Sequence, residues 1–267
     1  MVFPGISKKA PLLGAFFMSA ILLASAAQAA CPLSQQASPV RVARVVDGDT
    51  VHLADGRRVR LIGLNAPELA HGGRSTEPFA EAARDRLSAL VAASDGEFGL
   101  VVGRQGKDHY GRTLAHLFDR QGRNIEAILL AEGLGYLVAV APDTDLTPCQ
   151  QAAEHQARRA GLGLWKRSPV QRAQDLRDSG FALVRGRIAS VQRNRGGLWL
   201  QLEGPLVLRI DPRTLPAFAA LHLEALRGRE VEARGWVIDR SRHGGLRAGQ
   251  ARWMLPLTDP AMLETSP

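Results

Sequence analysis

Residues Val45–Glu68 read VVDGDTVHLADGRRVRLIGLNAPE, and this stretch decides the architecture of the first half of the chain. Asp47-Gly48 and Asp55-Gly56 favour tight turns, and they separate runs rich in Val, Leu and Arg. Strands joined by Asp-Gly turns form an antiparallel meander. The stretch therefore predicts three consecutive strands.

The same stretch carries charged residues suited to phosphate chemistry. Asp47 and Asp49 could hold a hard cation through carboxylate oxygens, and Glu68 could accept a proton from water. Arg60, together with Arg112 of the later DHYGR motif, could clamp a phosphate with paired donors. These residue types together predict hydrolysis of a phosphodiester.

Two more strands and three helices are predicted after the meander. The strands are Phe98–Val102 and Thr113–Phe118. The helices are one that starts near Glu77-Pro78 with Ser75 or Thr76 as its cap, one between Asn124 and Gly133, and one from a Thr147–Gln150 capping box to Gly161. This order fits a five-stranded barrel with helices packed against it.

The second half repeats the strand pattern after a polar connector. Its strand-like runs are Phe181–Val191, Leu198–Leu202, Val207–Ile210, Glu230–Ile238 and Leu246–Met254, with a helix-like stretch at Pro216–Leu226. We therefore predict a mainly β chain with α-helices (α+β). An OB-fold five-stranded barrel with three helices (42–167) is followed by a linker (168–180) and a second, smaller OB-like β-barrel (181–267).

The motifs DGDT at 47–50, VRLIGLNAPE at 59–68 and YGR at 110–112, in that order, resemble the staphylococcal nuclease (thermonuclease) family. EGLG at 132–135 and GLGLW at 161–165 are similar as well, so the resemblance covers residues 42–167. In the second half, GRIASVQ, LRGREVEARGW and DPAMLE are similar to OB-like segments appended to some bacterial thermonuclease-like proteins.

The resemblance implies a calcium-dependent nuclease that hydrolyses DNA and RNA with little sequence preference and leaves 3′-phosphate ends. Carried over by motif, Asp49 would be a calcium ligand with Asp47 beside it. Glu68 would be the general base, and Arg60 and Arg112 would bind the phosphate. The resemblance also places Tyr110 at the substrate, and His109 beside it is a candidate phosphate contact.

The chain departs from the family pattern at three places. Asn65 replaces the second acidic metal ligand, so we expect weaker calcium affinity but a retained site, because an amide oxygen can ligate calcium. Ala66 replaces a threonine whose backbone carbonyl is the ligand, and that carbonyl is kept. Ala139 and Ala141 stand where the family has nucleotide-stacking tyrosines, so tight binding of a single nucleotide is not expected.

The N-terminus has the pattern of a secretory signal at 1–29: Lys8-Lys9, the apolar run Leu12–Leu23, and small residues around 27–29. We therefore expect an exported protein, periplasmic or secreted, with no stable membrane insertion after cleavage. The formal charge is +8, and losing the two lysines leaves +6, which favours nucleic acid as partner. A monomer is expected.

The two cysteines, Cys31 and Cys149, both follow the predicted cleavage site and could pair in an oxidising compartment. Two free thiols and a lipid-anchored Cys31 stay open as alternatives. No Cys/His cluster has the spacing of a zinc site.

Two other function classes stay open beside the nuclease. One is a catalytically weak or inactive OB-fold module that binds nucleic acid, and the other is a periplasmic module that binds protein. In the second half, Arg185, Arg187, Arg193 and Arg195 near Trp199 could contact nucleic acid. We interpret these arginines first as an ordinary basic strand surface.

Overall fold

The computed structural model describes residues 1, 31, 36–70, 72–73, 75–242, 246 and 249–265. The strands of the first half are β1 (Ser38–Val45), β2 (Thr50–Leu53), β3 (Arg58–Leu61), β4 (Leu64–Asn65), β5 (Glu97–Lys107), β6 (Thr113–Phe118) and β7 (Tyr136–Leu137). Five of them close into a barrel in the order β1-β2-β3-β6-β5. The antiparallel pairs β1–β2 and β2–β3 confirm the predicted meander.

A two-stranded pair outside the barrel was not predicted from the sequence. β4 pairs antiparallel with β7, where Leu64 lies opposite Leu137 and Asn65 opposite Tyr136. Strands of two residues are too short to show a periodic pattern. The pair matters because it holds the segment that follows β3 against the barrel.

The helices of the first half are α1 (Ala80–Ala93), α2 (Ile125–Ala131) and α3 (Thr147–Ala160). The predicted start of α1 near Glu77 is wrong, because the residues before it bind the preceding loop instead. Thr76 Oγ1 accepts the N–H of Ala70 at 3.2 Å, and Phe79, the residue before the helix, has φ 69°. Neither Ser75 nor Thr76 therefore caps the helix.

The ends of α2 and α3 test three predicted caps. Asn124 caps α2 as predicted, with Oδ1 accepting the N–H of Ala127 at 2.9 Å. Gly161, with φ 61°, ends α3 as predicted. The capping box of α3 is wrong: Thr147 is already helical, and no side chain caps the residue before it. Gln150 instead donates to Ile62 O at 3.3 Å in the buried interior.

The second half contains seven further strands. They are β8 (Val170–Arg172), β9 (Gly180–Asn194), β10 (Gly197–Leu202), β11 (Leu206–Ile210), β12 (Glu230–Asp239), β13 (Trp253–Leu257) and β14 (Leu263–Thr265). Their order is β14-β12-β13-β11-β10-β9-β8, and an additional pairing of β12 with β9 closes a ring of five strands. β11 runs parallel to β13, as β3 does to β6 in the first barrel. Both halves therefore share one strand arrangement.

Two predicted elements of the second half are wrong in detail. The last strand of the ring is Trp253–Leu257, not Leu246–Met254, because its pairing with β11 begins at Trp253, which lies opposite Leu206. The expected helix at Pro216–Leu226 is two 3-10 segments, Leu215–Leu221 and Leu223–Leu226. His222, with φ 43°, interrupts them.

The predicted connector 168–180 packs on the second barrel. β8 pairs parallel with β9, and Ala173 and Leu176 are buried in the core of that barrel. The two halves also share a small apolar cluster in which Ala157, Trp165 and Leu183 are buried.

Charged side chains join α3 to the second barrel. Glu154 of α3 is fully buried and paired with the buried Arg234 of β12. Arg158 of α3 makes two hydrogen bonds of 2.7 Å each to the carboxylate of Glu232. Glu264 of β14 accepts from Arg234 at 3.1 Å. We call these five residues the α3–β12 network.

A disulfide joins Cys31 to Cys149 at the start of α3, which confirms the predicted pairing. The free-thiol and lipid-anchor alternatives are therefore wrong. The predicted signal peptide lies outside the described residues apart from Met1. Among the described residues, no helix has the length and apolar character needed to cross a bilayer.

Candidate active site

The turn between β1 and β2 carries the first two predicted metal residues. Asp47 Oδ1 accepts the N–H of Asp49 at 2.9 Å, which fixes the turn. Gly48 between them is required by close packing: a Cβ there would lie 2.6 Å from the side chains of both Ala66 and Ala83. The absence of a side chain thus lets the turn press against the chain after β4.

Asp49 is the buried centre of the site, with 5% of its surface exposed. Its Oδ2 accepts the N–H of Ala66 at 2.8 Å and contacts Arg60, while its Oδ1 accepts the hydroxyl of Thr50 at 3.0 Å. Burial raises the pKa of Asp49 against the opposing charge of Arg60, and with the smaller upward effect of the Asp47 charge the pKa reaches about 7.

Arg60 projects from β3 onto the residues predicted as metal ligands. Its Nη1 contacts Asp49 Oδ2 and donates to Leu64 O at 2.9 Å. Its Nη2 donates to Asn65 Oδ1 at 3.1 Å. The antiparallel pairing of β2 with β3 sets Thr50, the neighbour of Asp49, opposite Arg60, and the pairing of β4 with β7 holds Asn65. Arg60 therefore lies on oxygen atoms of both Asp49 and Asn65.

Arg112, at the start of β6, reaches the same point from the other side. Its Nε donates to Asp108 Oδ2 at 2.7 Å, and its Nη1 lies 3.5 Å from Thr50 Oγ1. Burial acts to raise the pKa of Asp108, but the hydrogen bonds that its carboxylate accepts from the side chain and main chain of Arg112 lower it overall. Since Thr50 also donates to Asp49, a continuous chain of contacts links Arg112 to Arg60.

The two predicted substrate residues lie beside Arg112 at the surface. Tyr110 is 65% exposed, and its ring centroid lies 5.5 Å from the Arg112 guanidinium carbon. The ring centroid of His109 is 3.7 Å from that of Tyr110. Both side chains are thus accessible at the rim of the site.

Glu68 follows β4 and Pro67 and is exposed. Partial burial raises its pKa, as does the charge of Asp47, while Arg60 and Arg112 act in the opposite direction. The charges of Asp47, Arg60 and Arg112 therefore all act on the Glu68 carboxylate. Among the described residues, that carboxylate accepts no hydrogen bond, which leaves it available to a water molecule.

Glu77 is a residue of the site that sequence reasoning missed. Its carboxylate accepts the backbone N–H of Glu68 at 3.0 Å, and its own N–H donates to the carbonyl of Glu68 at 2.9 Å. Thr50 and Asp108 were missed as well. Thr50 belongs to DGDT and Asp108 to DHYGR, so both were inside motifs, whereas Glu77 had no signal beyond its charge.

The oxygen atoms at the predicted metal site are suitable ligands for a hard cation. Asp47, Asp49, Asn65 and the carbonyl of Ala66 offer only oxygen atoms, which calcium prefers. The repulsion between Asp47 and Asp49 raises the pKa of Asp49, and a bound cation would relieve it. No cluster of three or more His, Cys, Asp or Glu ligands occurs in the described part of the chain. The site therefore depends on an amide and a carbonyl.

Residues of the first barrel match a family of known proteins. A family model described as "Staphylococcal nuclease homologue" matches residues 58–167. The thermonuclease of Staphylococcus intermedius is 31% identical over 145 residues, which cover 51% of this chain and 84% of the relative.

Two further relatives match about half of the chain each. The succinoglycan biosynthesis protein ExoI of Rhizobium meliloti (strain 1021) is 32% identical over 157 residues, 57% of this chain and 74% of the relative. Endonuclease YhcR of Bacillus subtilis (strain 168) is 30% identical over 135 residues, 46% of this chain. That match covers only 11% of YhcR, so the chain spans a small part of this relative.

Proposed function

Because the chain belongs to the staphylococcal nuclease family, we propose that it is a nuclease that hydrolyses phosphodiester bonds of DNA and RNA with little sequence preference. The observation that carries the proposal is the contact chain from Arg60 through Asp49 and Thr50 to Arg112, beside an unengaged Glu68. It supports one site for a phosphate and a water molecule.

The arginines would bind the scissile phosphate. Arg112 uses Nε for Asp108 and Nη1 for Thr50, and within the described residues its Nη2 has no partner. Because these partners hold the guanidinium in place, its charge needs little reorganisation when negative charge grows on the phosphate in the transition state. Arg60 would contribute a second fixed charge from the opposite side.

Glu68 would act as the general base. A carboxylate with a raised pKa is a stronger proton acceptor than an ordinary one. The two hydrogen bonds between the main chain of Glu68 and Glu77 hold the backbone from which it projects. Glu68 would take the proton of the attacking water, and 3′-phosphate ends would result if the 5′ oxygen leaves.

We propose that calcium binds at Asp49, Asn65 and the Ala66 carbonyl, with Asp47 nearby. When bound there, the ion would offset negative charge on the phosphate. Arg60 would then share Asp49 and Asn65 with the ion, so its contacts to these two residues would loosen.

We also propose export to a periplasm or the medium, with the protein acting as a monomer. The disulfide supports an oxidising location, because such bonds are rare in reducing compartments.

A catalytically inactive nucleic-acid-binding module is the second candidate. Its support is the basic balance of the chain, with 34 Lys and Arg against 26 Asp and Glu. A module of this kind would bind DNA in a salt-dependent manner without cleaving it.

The test is cleavage of single-stranded and duplex DNA and of RNA by the purified protein, with calcium or with a chelator. Glu68→Gln and Arg112→Ala should lower the rate by roughly 10³-fold, because each removes a group that acts on the transition state. The matched controls are Glu81→Gln, on the exposed first turn of α1, and Arg57→Ala, which pairs with the nearby Asp55. Equal rates for the site and control variants would reject the assignment.

A further inference from the structure

One face of the second barrel carries an outward row of polar and aromatic side chains. In the register of β9, β10 and β11, Gln192 lies opposite Trp199, and Trp199 lies opposite Arg209. Their neighbours Leu198 and Leu200 point into the core. A cleft of about 320 Å³ opens on this face and is closed at one side by Arg240 and residues 249–251.

Trp199 is held in a defined orientation on this face. Its Nε1 donates to Asn194 Oδ1 at 3.0 Å, and the same oxygen accepts the N–H of Gly196 at 2.8 Å. The indole is half-buried, so part of it stays open to the cleft. Since its only polar atom is already satisfied, the accessible part of the ring offers a flat apolar surface.

Arginines surround the indole. The guanidinium carbons of Arg209 and Arg240 lie 5.4 Å and 5.7 Å from its centroid. Arg240 donates to the carbonyl of Ala251 at 3.1 Å and has no acidic partner in the described part of the chain. Arg195, in the β9–β10 turn, is exposed and likewise unpaired there. Uncompensated positive charge therefore borders the cleft.

We propose that this face is a second nucleic-acid site, which binds a single strand by stacking a base on Trp199 while the arginines contact its phosphates. Stacking requires an unpaired base, and a basic groove with an aromatic platform is the common design of single-strand sites. The face also occupies the first three strands and the loop after the fourth strand of the ring, a position where five-stranded barrels of this kind bind oligonucleotides.

This site extends the proposed function, because it would hold a substrate strand on the barrel that does not carry Glu68. Arg185 and Arg187 do not belong to it. Arg185 pairs with Glu232, and Arg187 donates to Gly228 O at 2.6 Å. The basic surface predicted from the sequence is thus divided between structural ion pairs and the cleft around Trp199.

The test measures binding of a fluorescent oligo-dT of about 16 nucleotides to the full chain carrying Glu68→Gln, in the presence of a chelator. Oligo-U and a duplex of equal length form the other arms. Trp199→Leu should weaken the Kd for the single strand roughly tenfold. Arg195→Gln with Arg240→Gln should make the salt dependence shallower by about 1.4 in log–log slope.

Matched controls lie on β12 and β8, opposite the part of β9 that is distant from the cleft. Trp236→Leu removes an exposed tryptophan that lies opposite Phe181. Arg172→Gln removes an exposed charge that lies opposite Arg185. Because Ser190 of the cleft is five residues beyond Arg185, this control is on the order of 16 Å from the face. Both controls should bind as the parent does.

Three results would overturn the site. They are unchanged binding in both the Trp199 and the double-arginine variants, an equal loss in the controls, and no binding by the parent. The double-arginine variant changes one exposed and one partly exposed position outside the core, and so keeps the inference testable if Trp199→Leu fails to fold. If the site-dependent binding is observed while the wild-type chain cleaves nothing with calcium, the proposed nuclease activity fails and the second site stands.

Discussion

At the scale of single residues, Arg60 takes part in both the proposed phosphate binding and the proposed cation binding. Its guanidinium contacts Asp49 and donates to Asn65 Oδ1 at 3.1 Å, so it uses oxygens that a cation would also need. Arg60 and a bound cation would therefore compete for the single amide oxygen of Asn65. This explains in physical terms why calcium affinity should depend on that residue.

Asn65→Asp is expected to lower the calcium Kd by roughly tenfold, because the site gains a formal negative charge. Isothermal titration of calcium in the absence of nucleic acid measures the change directly. Asn65→Ala, which removes the oxygen, should raise the Kd. If both variants bind calcium as the wild type does, position 65 is not a ligand.

Glu77→Ala is expected to lower kcat about tenfold with little change in KM, because the base Glu68 would lose the acceptor that fixes its backbone. Glu77→Gln keeps an acceptor oxygen and should retain most of the activity. Steady-state kinetics on single-stranded DNA separates the two parameters. A change confined to KM, or no rescue by glutamine, would contradict a positioning role.

At the scale of elements, α3 has a defined start and end and contacts both halves of the chain. The disulfide fastens its first turn to Cys31, and Gly161 ends it in the left-handed conformation. Glu154 in its middle and Arg158 in its last turn belong to the α3–β12 network. The helix therefore contacts the second barrel directly.

Replacing both cysteines by serine is expected to reduce the free energy of unfolding by up to about 5 kcal/mol, because the bond closes a loop across a sequence separation of 118 residues. Urea unfolding of the wild type and the variant, followed by far-UV circular dichroism, measures the difference. Reductant should destabilise the wild type only. Equal midpoints for all samples would show that the bond adds nothing to stability.

At the scale of the whole molecule, the two barrels are joined by buried charge. Arg234 and Glu154 are both nearly inaccessible, and removing one partner of such a pair leaves an uncompensated charge in the interior. Ala139 adds a second point of contact: its N–H and carbonyl bind Met262 and Thr258 of the second half. Ala139, one of the two alanines that stand in place of the family's tyrosines, is therefore covered by the second barrel, whereas Ala141 is exposed.

Glu264 should make the stability of this junction depend on pH. The hydrogen bond with His155, together with the charges of Arg234 and Arg158, lowers its pKa to about 2 from an ordinary 4.5 despite partial burial. A lowered pKa means that the ionised form stabilises the fold above pH 4.5, and that this contribution is lost as the pH falls towards 2.

Glu264→Gln is therefore expected to be less stable than the wild type at pH 7, with the difference shrinking between pH 4.5 and 2. Thermal unfolding across this range gives the comparison. The control is Glu203→Gln, whose partner Arg187 is 4.0 Å away at the surface. A difference that stays constant with pH would contradict the assignment to Glu264.

The sequence by itself determined the first barrel, its Asn124 and Gly161 caps and the membership of Arg60, Glu68 and Arg112 in one set of motifs, whereas it left the state of Cys31 and Cys149 open. Turn dipeptides, caps and motif order act over a few residues, so they are readable without coordinates. Only the tertiary structure decided which groups Glu77, Thr50 and Trp199 contact. Their roles arise from contacts between segments distant in the chain or adjacent across a sheet. The same holds for Gln150, whose predicted capping role gave way to a buried hydrogen bond with Ile62, because packing outweighs a local preference.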